Sequence, residues 1–179
     1  MKKKIIITGG LGYIGTELCK LYSGLSWYHE VLVIDNRFIS ERVNQLRNWN
    51  INFLQGDILD KEMVNKYFKD ANVVHHLAGI TNVPRTQSES VESHDDKILS
   101  VAKDGTKNIL DAINDNCKII FPSTHVVYEG IGEVSKDINE EEQTKPVLSY
   151  STSKARNEKQ IKQSNKNYVI LRLGSVYGY

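Results

Sequence analysis

A run of aliphatic residues near the start of the chain stops abruptly at a cluster of glycines. Residues 5–7 are three consecutive isoleucines, which predict a strand buried on both faces, as in a parallel sheet. Gly9, Gly12 and Gly15 follow at once. Apolar residues then recur at helical spacing: Ile14, Leu18, Leu21 and Tyr22. The glycines therefore lie in the turn between a buried strand and the start of a helix.

A glycine turn in this position is suited to binding a phosphate. The first turn of a helix carries unpaired N–H groups and a partial positive charge, and glycine lets the backbone approach a pyrophosphate closely. A second strand pattern, residues 30–35, ends in Asp35 about 20 residues after the glycines, where dinucleotide-binding units carry a ribose-binding acid. No Gly-Lys-Ser/Thr follows the turn, which disfavours a P-loop. The sequence therefore predicts a dinucleotide site.

Composition narrows the class of protein further. The 179 residues suffice for one domain with a sizeable core, and the formal net charge of +1 gives no general attraction to nucleic acid or to an anionic membrane. The first apolar run ends at Thr8, so we expect no signal peptide, and no stretch approaches the roughly 18 apolar residues of a membrane span. Cys19 and Cys117 lack metal-ligand spacing, so we expect reduced thiols and no metal site. We expect a cytoplasmic protein.

The rest of the chain alternates helix and strand patterns. Predicted helices cover 40–48, a segment capped by Asp60 through Phe68, 89–114 and 149–163. Further predicted strands cover 51–57, 71–79, 118–121 before a break at Pro122, and 168–173, with a polar loop at 129–148. This alternation predicts an α/β fold with a doubly wound parallel sheet in the order 3-2-1-4-5-6. The carboxyl ends of its strands should then share one ligand crevice.

A second informative stretch opens the helix that follows the fifth predicted strand. Tyr150 and Lys154 are four residues apart and so share one helix face. An ammonium beside a phenol favours the phenolate, so we expect the pKa of Tyr150 to be lowered and Tyr150 to serve as a general base or acid. Thr124, directly after the fifth strand, offers a hydroxyl to the same substrate oxygen. The three residues form the candidate catalytic group.

Motifs spread over nearly the whole chain match one known family: 8–15, 35–36, 56–58, 76–79, 105–108, Thr124 with 127–128, 150–154, and Arg172 with 176–178. The chain resembles the N-terminal portion of an extended short-chain dehydrogenase/reductase, in the NAD-dependent epimerase/dehydratase family. The resemblance implies a Rossmann-like fold and NAD as cofactor. It also implies a possible homodimer through the fourth and fifth helices.

The resemblance also implies residue roles. Gly9, Gly12 and Gly15 would line the pyrophosphate, and Asp35 would accept the adenosine ribose hydroxyls and disfavour the 2′-phosphate of NADP. Lys154 would bind the nicotinamide ribose and tune Tyr150. The full set of implied cofactor contacts is Gly9, Gly12, Tyr13, Ile14, Gly15, Asp35, Asn36, Asp57, Ile58, Leu77, Ala78, Gly79 and Lys154.

Departures from the family pattern narrow the implied chemistry. The family's usual substrates are nucleotide sugars, and Tyr150 would remove a hydroxyl proton while a hydride passes to nicotinamide. His125 and Val126 follow Thr124 where the family's dehydratases and decarboxylases carry acidic residues, which favours an epimerase-like or simple redox reaction. Glu129 replaces a usual glycine, and Ala102 replaces a usual asparagine.

The chain ends at 177–179, where members of the family continue into a smaller substrate domain. We therefore expect residues 1–179 to form the NAD-binding domain without the substrate-binding domain, and to show weak or no turnover alone. Two functions stay open. One is an NAD-dependent nucleotide-sugar epimerase-like oxidoreductase. The other is a non-catalytic dinucleotide-binding protein or partner subunit.

Overall fold

A computed structural model describes residues 2–80, 91–132 and 137–177 of the chain. Within these residues, parallel strands alternate with helices along the sequence. The strands are β1 (Lys3–Thr8), β2 (His29–Asp35), β3 (Asn52–Gln55), β4 (Val73–His76), β5 (Lys118–Thr124) and β6 (Asn167–Leu173). The helices are α1 (Tyr13–Ser23), α2 (Ser40–Asn48), α3 (Lys61–Phe68), α4 (Glu92–Ala112) and α5 (Ser149–Gln163), with a 3-10 helix at His125–Ile131.

The strands form one parallel sheet in the order β3-β2-β1-β4-β5-β6, which confirms the predicted topology. β1 lies at the centre, where Thr8 pairs with Ile34 of β2 on one side and His76 of β4 on the other. From β1 the chain adds β2 and β3 on one side of the sheet, and then β4, β5 and β6 on the other. The crossover connections therefore diverge and leave a crevice at the carboxyl ends of β1 and β4.

The three isoleucines of β1 supply both halves of the core. Ile6 packs on one face of the sheet with Phe68 of α3, Ile109 of α4 and Ile161 of α5. Ile5 and Ile7 pack on the other face with side chains of α1 and α2: Cys19, Val43 and Leu46. Alternate residues of a strand point to opposite faces, so a strand with helices on both sides must be apolar throughout. Burying each isoleucine contributes roughly 1.5–3 kcal/mol.

The predicted break at Pro122 is wrong. β5 continues through Pro122 to Thr124, and Pro122 lies opposite Leu171 of β6. Pairing of β5 with β4 ends at Ile120, so the proline lies past the last residue where β4 would need its N–H group. The longer strand carries Thr124 further out over the carboxyl edge of the sheet.

Other boundaries differ by a few residues. Asp60 caps α3 as predicted, because its Oδ1 accepts a hydrogen bond of 3.0 Å from the Met63 amide. β3 and β4 are shorter than predicted, since residues 56–57 and 77–79 leave the sheet at its carboxyl edge. The start predicted for the long helix, at residues 89–90, lies outside the described residues, as does 133–136 of the predicted loop. The first residues of that loop belong to the 3-10 helix.

The adjacent histidines of β4 serve packing. His76 is buried and its ring nitrogens contact the hydroxyls of Thr8 at 3.1 Å and Thr106 at 2.9 Å. His75 points to the other face, where its Nε2 lies 2.8 Å from the hydroxyl of Tyr22. Burial lowers the pKa of His75 to about 4 and that of His76, with a contribution from the charge of Lys154, to about 3. Both rings are therefore neutral at physiological pH.

Two further features concern the described residues as a whole. They contain no group of three or more His, Cys, Asp or Glu arranged to hold a metal ion. None of their helices combines the length and the apolar character that crossing a membrane requires.

Burial raises the pKa of Cys19 to about 12 and that of Cys117 to about 11, so both thiols stay protonated.

Candidate active site

A cleft of about 830 Å³ opens at the carboxyl edge of the sheet, between the ends of β1 and β4. Its wall contains every residue that the sequence analysis assigned to cofactor binding or catalysis. From the turn after β1 and the start of α1 come Gly9, Gly12, Tyr13, Ile14 and Gly15. From the ends of the other strands and from α5 come Asp35, Asn36, Asp57, Ile58, Leu77, Ala78, Gly79, Thr124, Tyr150 and Lys154.

The glycine turn is held so tightly that side chains would not fit. Gly9 has φ +67, and a Cβ there would lie 2.8 Å from the backbone of Ala78. A Cβ on Gly15 would lie 2.6 Å from Cα of Gly10, so the helix start packs directly on the turn. Gly12 is the N-cap of α1 and has no side chain to satisfy the first N–H groups. The start of α1 therefore faces the cleft with bare backbone, which is the arrangement of a phosphate-binding helix N-terminus.

Asp35 lies beside the glycine turn, as its position at the end of β2 predicted. Its side chain is 4% exposed, and its Oδ2 accepts a hydrogen bond of 3.1 Å from the Leu11 amide. Arg37 adds two contacts from its side chain, with Nε 3.2 Å from Oδ1 and Nη2 3.4 Å from Oδ2. Arg42 of α2 donates to the carbonyl oxygen of Leu11 and also lines the cleft. In the sequence Arg37 stands out only as a basic residue close to Asp35, and Arg42 does not stand out at all.

The wall around Ile58 is shaped by α4. A Cβ on Gly105 would lie 2.3 Å from Cδ1 of Ile58, so the absence of a side chain lets α4 approach this wall closely. Asp57 accepts a hydrogen bond of 2.9 Å from the Leu59 amide, which fixes the turn that carries it. His94 and Lys97 of α4 also line the cleft, and the sequence gives no signal that would have identified them.

The other end of the cleft holds the candidate catalytic group. Thr124 ends β5, and its Oγ1 accepts a hydrogen bond of 3.2 Å from the Val126 amide. Lys154 Nζ donates a hydrogen bond of 2.8 Å to the carbonyl of Pro122 and lies 5.8 Å from the centre of the Tyr150 ring. Nζ also lies 4.6 Å from the centre of the Phe121 ring. The three side chains therefore share one end of the cleft, opposite the glycine turn along the sheet edge.

The expected lowering of the tyrosine pKa is wrong for this arrangement. Burial raises the pKa of Tyr150 above its ordinary value, and the same cause lowers the pKa of Lys154 from 10.5 to about 8. Desolvation disfavours the charged form of both groups, and the ammonium is directed at a carbonyl oxygen instead of the phenol. At neutral pH the phenol is therefore protonated, while the lysine is still mostly cationic.

Glu129 fixes the start of α5. Its Oε1 accepts hydrogen bonds of 2.6 Å from the Val147 amide and 2.7 Å from the Leu148 amide, and a further one from the hydroxyl of Ser151. Leu148 is the N-cap and has no side chain that can cap the helix. The carboxylate therefore supplies, from 18 residues away in sequence, the acceptor that a capping side chain normally provides. This departure from the family's glycine was visible in the sequence, but its partners were not.

A family model described as "NAD dependent epimerase/dehydratase family" matches residues 5–179. The chain is 34% identical over 140 residues to a UDP-N-acetyl-alpha-D-glucosaminuronate decarboxylase from Bacillus cytotoxicus. The matched region covers 76% of the chain and 41% of that protein. It is 34% identical over 184 residues to a putative UDP-glucose 4-epimerase from Methanocaldococcus jannaschii, which covers 97% of the chain and 56% of that protein.

Solved structures give the same picture. A UDP-glucose 4-epimerase from Brucella ovis, in complex with NAD, matches with a TM-score of 0.75 and 28% identity over 95% of the chain and 51% of that structure. A UDP-N-acetylglucosamine 4-epimerase from Methanobrevibacter ruminantium, in complex with UDP-N-acetylmuramic acid, matches with a TM-score of 0.76 and 28% identity. That match covers 96% of the chain and 55% of the solved structure. The chain spans about half the length of the relatives it matches.

Proposed function

The chain belongs to the NAD dependent epimerase/dehydratase family, and on that premise we propose that it binds NAD in the cleft and forms the cofactor-binding and proton-transferring part of a nucleotide-sugar epimerase-like oxidoreductase. One observation carries the proposal. A single cleft is lined by the glycine turn and Asp35 at one end and by Thr124, Tyr150 and Lys154 at the other. A dinucleotide suits both ends, because one molecule carries a pyrophosphate for the glycine turn and a nicotinamide ribose that reaches the catalytic group.

Bound NAD supplies a hydride acceptor that can later return the hydride. In the proposed assignment, the amides around Gly9, Gly12 and Gly15 bind its pyrophosphate, and Asp35 accepts from a ribose hydroxyl. Asp57 and Ile58 flank the adenine, and Lys154 binds the nicotinamide ribose. The remaining contacts come from backbone and side chains along the cleft: Tyr13, Ile14, Asn36, Leu77, Ala78 and Gly79.

The proton chemistry rests on Tyr150. Its phenolate form would accept the proton of a sugar carbinol when that carbon is oxidised, and the resulting phenol would give the proton back when the carbon is reduced. Thr124 donates a hydrogen bond to the same sugar oxygen and so fixes its distance from the phenol. Burial raises the pKa of Tyr150, so a nearby cation is needed to favour the phenolate. Lys154, 5.8 Å from the ring centre, would supply that charge by turning from the Pro122 carbonyl toward the phenol.

The choice of an epimerase-like reaction over elimination or decarboxylation depends on where carboxylates lie. Among the described residues on the cleft wall, the carboxylates are Asp35 and Asp57, both far along the sheet from Thr124. His125 instead follows Thr124, is exposed, and its Nδ1 lies 3.2 Å from the carbonyl oxygen of Leu173. A dehydratase needs a second acid beside the reacting carbon, and the described part of this wall offers none near Thr124.

The test compares Tyr150→Phe with a matched control, Tyr168→Phe, which alters an exposed tyrosine on β6. Calorimetry measures NAD affinity, and turnover is followed with a panel of UDP-, GDP- and dTDP-sugars. We expect both variants to bind NAD as the unaltered chain does, and, in a longer form of the protein that turns over a sugar, Tyr150→Phe alone to lose that turnover. Unchanged turnover in Tyr150→Phe, or no NAD affinity in the unaltered chain, would contradict the proposal.

A second candidate function is a non-catalytic dinucleotide-binding protein or partner subunit. The observation in its favour is that the chain spans about half the length of its relatives, so residues 1–179 need not supply every group that orients a sugar. We propose weak or no turnover by residues 1–179 alone, taken as an NAD-binding domain. NAD binding without turnover of any sugar in the panel, in a longer form of the protein as well as in residues 1–179, would favour this second function.

The homodimer through α4 and α5 and the cytoplasmic location stay predictions. Large apolar side chains that are exposed in the described residues lie outside α4 and α5. A dimer through these helices would therefore use polar and charged contacts, such as those of Lys103 and Asp104, and would weaken as salt is raised. Light scattering at low and high salt measures this, and a monomer at low salt would contradict the prediction.

A further inference from the structure

The two faces of the sheet are covered unequally. Helices α3, α4 and α5 pack on one face, and α1 and α2 pack on the other. One row of paired residues on the second face runs from Ile7 through His75 and Ile120 to Val169. Ile7 is 0% and His75 8% exposed, whereas Ile120 is half-buried and Val169 is 37% exposed. Among the described residues, the helices of this face therefore stop short of β5 and β6.

The uncovered strands present an apolar surface, which we call the floor. In the next row Pro122 pairs with Leu171, which is 43% exposed. Alternate residues of a strand point to the same face, so Ile120, Pro122, Val169 and Leu171 share this one. β6 carries no charged side chain on it, because its residues 167, 169, 171 and 173 are Asn, Val, Leu and Leu. Proteins normally cover an edge strand of this kind.

Helix α1 borders the floor and adds an apolar ridge. The hydroxyl of Tyr22 lies 2.8 Å from Nε2 of His75 on β4, so this flank of α1 faces the uncovered strands. Leu18 precedes Tyr22 by one turn, and Leu21 and Leu25 extend the same flank away from the sheet. Leu21 is 71% and Leu25 44% exposed. We call Leu18, Leu21 and Leu25 the ridge.

Ridge and floor complement each other in two copies of the chain. Leu21 lies about 160° around α1 from the buried Cys19, so a single helix laid on the floor would leave it exposed. A two-fold axis that puts the ridge of each copy on the floor of the other covers both surfaces at once. Charge agrees with this pairing, because the exposed Glu17 lies one turn before Leu21 and the exposed Lys118 flanks the floor.

The size of the surface also suits a dimer. The exposed fractions of Leu21, Leu25, Val169 and Leu171 together equal about two fully exposed side chains. That is on the order of 400 Å² of apolar surface, the size of patch that is often functional on a monomer. With its half-buried neighbours and a polar rim, such a patch approaches the roughly 800 Å² per partner that a stable interface buries.

We propose that this surface joins two copies of the chain, with Leu21 and Leu25 of each copy packed on Val169 and Leu171 of the other. The inference is independent of the proposed function, because none of these four residues lines the cleft. It also differs from the dimer through α4 and α5, since apolar contacts do not weaken when salt screens charges.

Light scattering over a micromolar range of concentrations, at low and high salt, tests the inference. It compares the unaltered chain with Leu21→Glu, Leu171→Arg and the control Tyr168→Arg. Tyr168 is a matched control because it is also 43% exposed on β6, but it pairs with Ile119 on the opposite face of the sheet. Thermal melting of each variant verifies that it is folded.

We expect the unaltered chain to dimerise with a dissociation constant in the micromolar range at both salt concentrations. Leu21→Glu and Leu171→Arg should each raise this constant at least about tenfold, because each puts a charge into an apolar contact. An equimolar mixture of these two variants should dimerise again. One ridge-on-floor contact then joins the introduced carboxylate to the introduced guanidinium, and the other is unaltered. Tyr168→Arg should leave the constant unchanged.

Other outcomes overturn the inference in distinguishable ways. An unaltered chain that stays monomeric has no such interface, and a dimer lost at high salt belongs to α4 and α5 instead. If Tyr168→Arg weakens the dimer as much as Leu171→Arg, the copies pair through the edge of β6 and not through this face. A mixture that stays monomeric excludes contact between ridge and floor. NAD affinity, measured separately, decides the proposed function in every case.

Discussion

Glu158 and Arg172 form a two-point ion pair in the interior of the protein, with Arg172 Nε 3.0 Å from Oε1 and Nη2 2.6 Å from Oε2 of Glu158. The two side chains are 4% and 10% exposed, and Ser123 donates a further hydrogen bond of 2.6 Å to Oε1. Glu158 lies one turn after Lys154 on α5, and Arg172 lies on β6. The pair therefore joins the helix that carries Tyr150 and Lys154 to the sheet that carries Thr124.

Removing the arginine should destabilise the fold strongly. Burial alone would raise the pKa of Glu158, but hydrogen bonds from Arg172 and Ser123 lower it below its ordinary value, so the carboxylate is charged. Arg172→Met leaves this charge buried without its main partner, and we expect it to lower the free energy of unfolding by about 3 kcal/mol or more. Urea denaturation measures the change.

The matched control is Lys162→Met, because Lys162 Nζ lies 3.6 Å from Oε2 of the same Glu158 but its side chain is 47% exposed. We expect this control to cost less than about 1 kcal/mol. The double variant Arg172→Met with Glu158→Gln should be more stable than Arg172→Met alone, since it removes the stranded charge. Equal costs for Arg172→Met and Lys162→Met would contradict a structural role for the pair.

Glu129 yields a second prediction about α5. Glu129→Ala leaves the amides of Val147 and Leu148 without their acceptor and should lower the free energy of unfolding by about 1–2 kcal/mol, as loss of a helix cap does. Glu129→Gln keeps an amide oxygen in the same place and should cost less. Urea denaturation compares both with Glu141→Ala, an exposed glutamate of the neighbouring loop. Glu141→Ala should leave NAD affinity unchanged, and the two Glu129 variants should affect it only through the position of α5, because neither glutamate lines the cleft.

The topology followed from local patterns because each pattern had one structural solution. Three isoleucines in succession can be buried on both faces only inside a sheet covered by helices, and the glycines and Asp35 then fixed the strand order. The error at Pro122 shows the limit of such reasoning. A proline breaks a strand only where a neighbouring strand needs its N–H, and the length of β4 is not written in the sequence around Pro122.

The site shows the same division between local and distant information. Residues of the glycine turn and of α5 could be assigned because their spacing alone places them on one turn or one face. The role of Glu129 could not, because its partners lie 18 to 22 residues along the chain. The pKa of Tyr150 was predicted in the wrong direction, because spacing reports that Lys154 is near but reports neither the burial of the phenol nor the hydrogen bond to Pro122.

The two glycines that flank the start of α1 should respond differently to alanine. A Cβ on Gly15 would lie 2.6 Å from Cα and 2.8 Å from the carbonyl carbon of Gly10, so Gly15→Ala must displace backbone and should cost about 1–3 kcal/mol or more of stability. A Cβ on Gly12 meets only the Gly9 carbonyl oxygen, at 3.1 Å. Gly12→Ala should therefore fold, yet bind NAD at least about tenfold more weakly, because its methyl group crowds the phosphate cradle.

Thermal melting and calorimetry together separate these effects, with Gly24→Ala as a control. Gly24 ends α1 away from the cleft, and a Cβ there would lie 3.7 Å from its nearest neighbour, an ordinary contact. We expect Gly24→Ala to retain both stability and NAD affinity. If Gly12→Ala bound NAD as tightly as the unaltered chain, the diphosphate would not lie against this turn.

Lys154 should make the stability of the protein depend on pH in a characteristic direction. Burial lowers its pKa from 10.5 to about 8 in the folded protein, so between these values the unfolded chain binds more protons than the folded one. The free energy of unfolding therefore gains from Lys154 as pH rises through this window, by about 2 kcal/mol between pH 7 and pH 9.5. Lys154→Met removes this gain.

Urea denaturation at a series of pH values should show the free energy of unfolding of the unaltered chain rising relative to that of Lys154→Met. The exposed control Lys159→Met should follow the unaltered chain. Parallel curves for the unaltered chain and Lys154→Met would mean that the ammonium is solvated, and the cationic partner proposed for Tyr150 would then lack its low-dielectric setting.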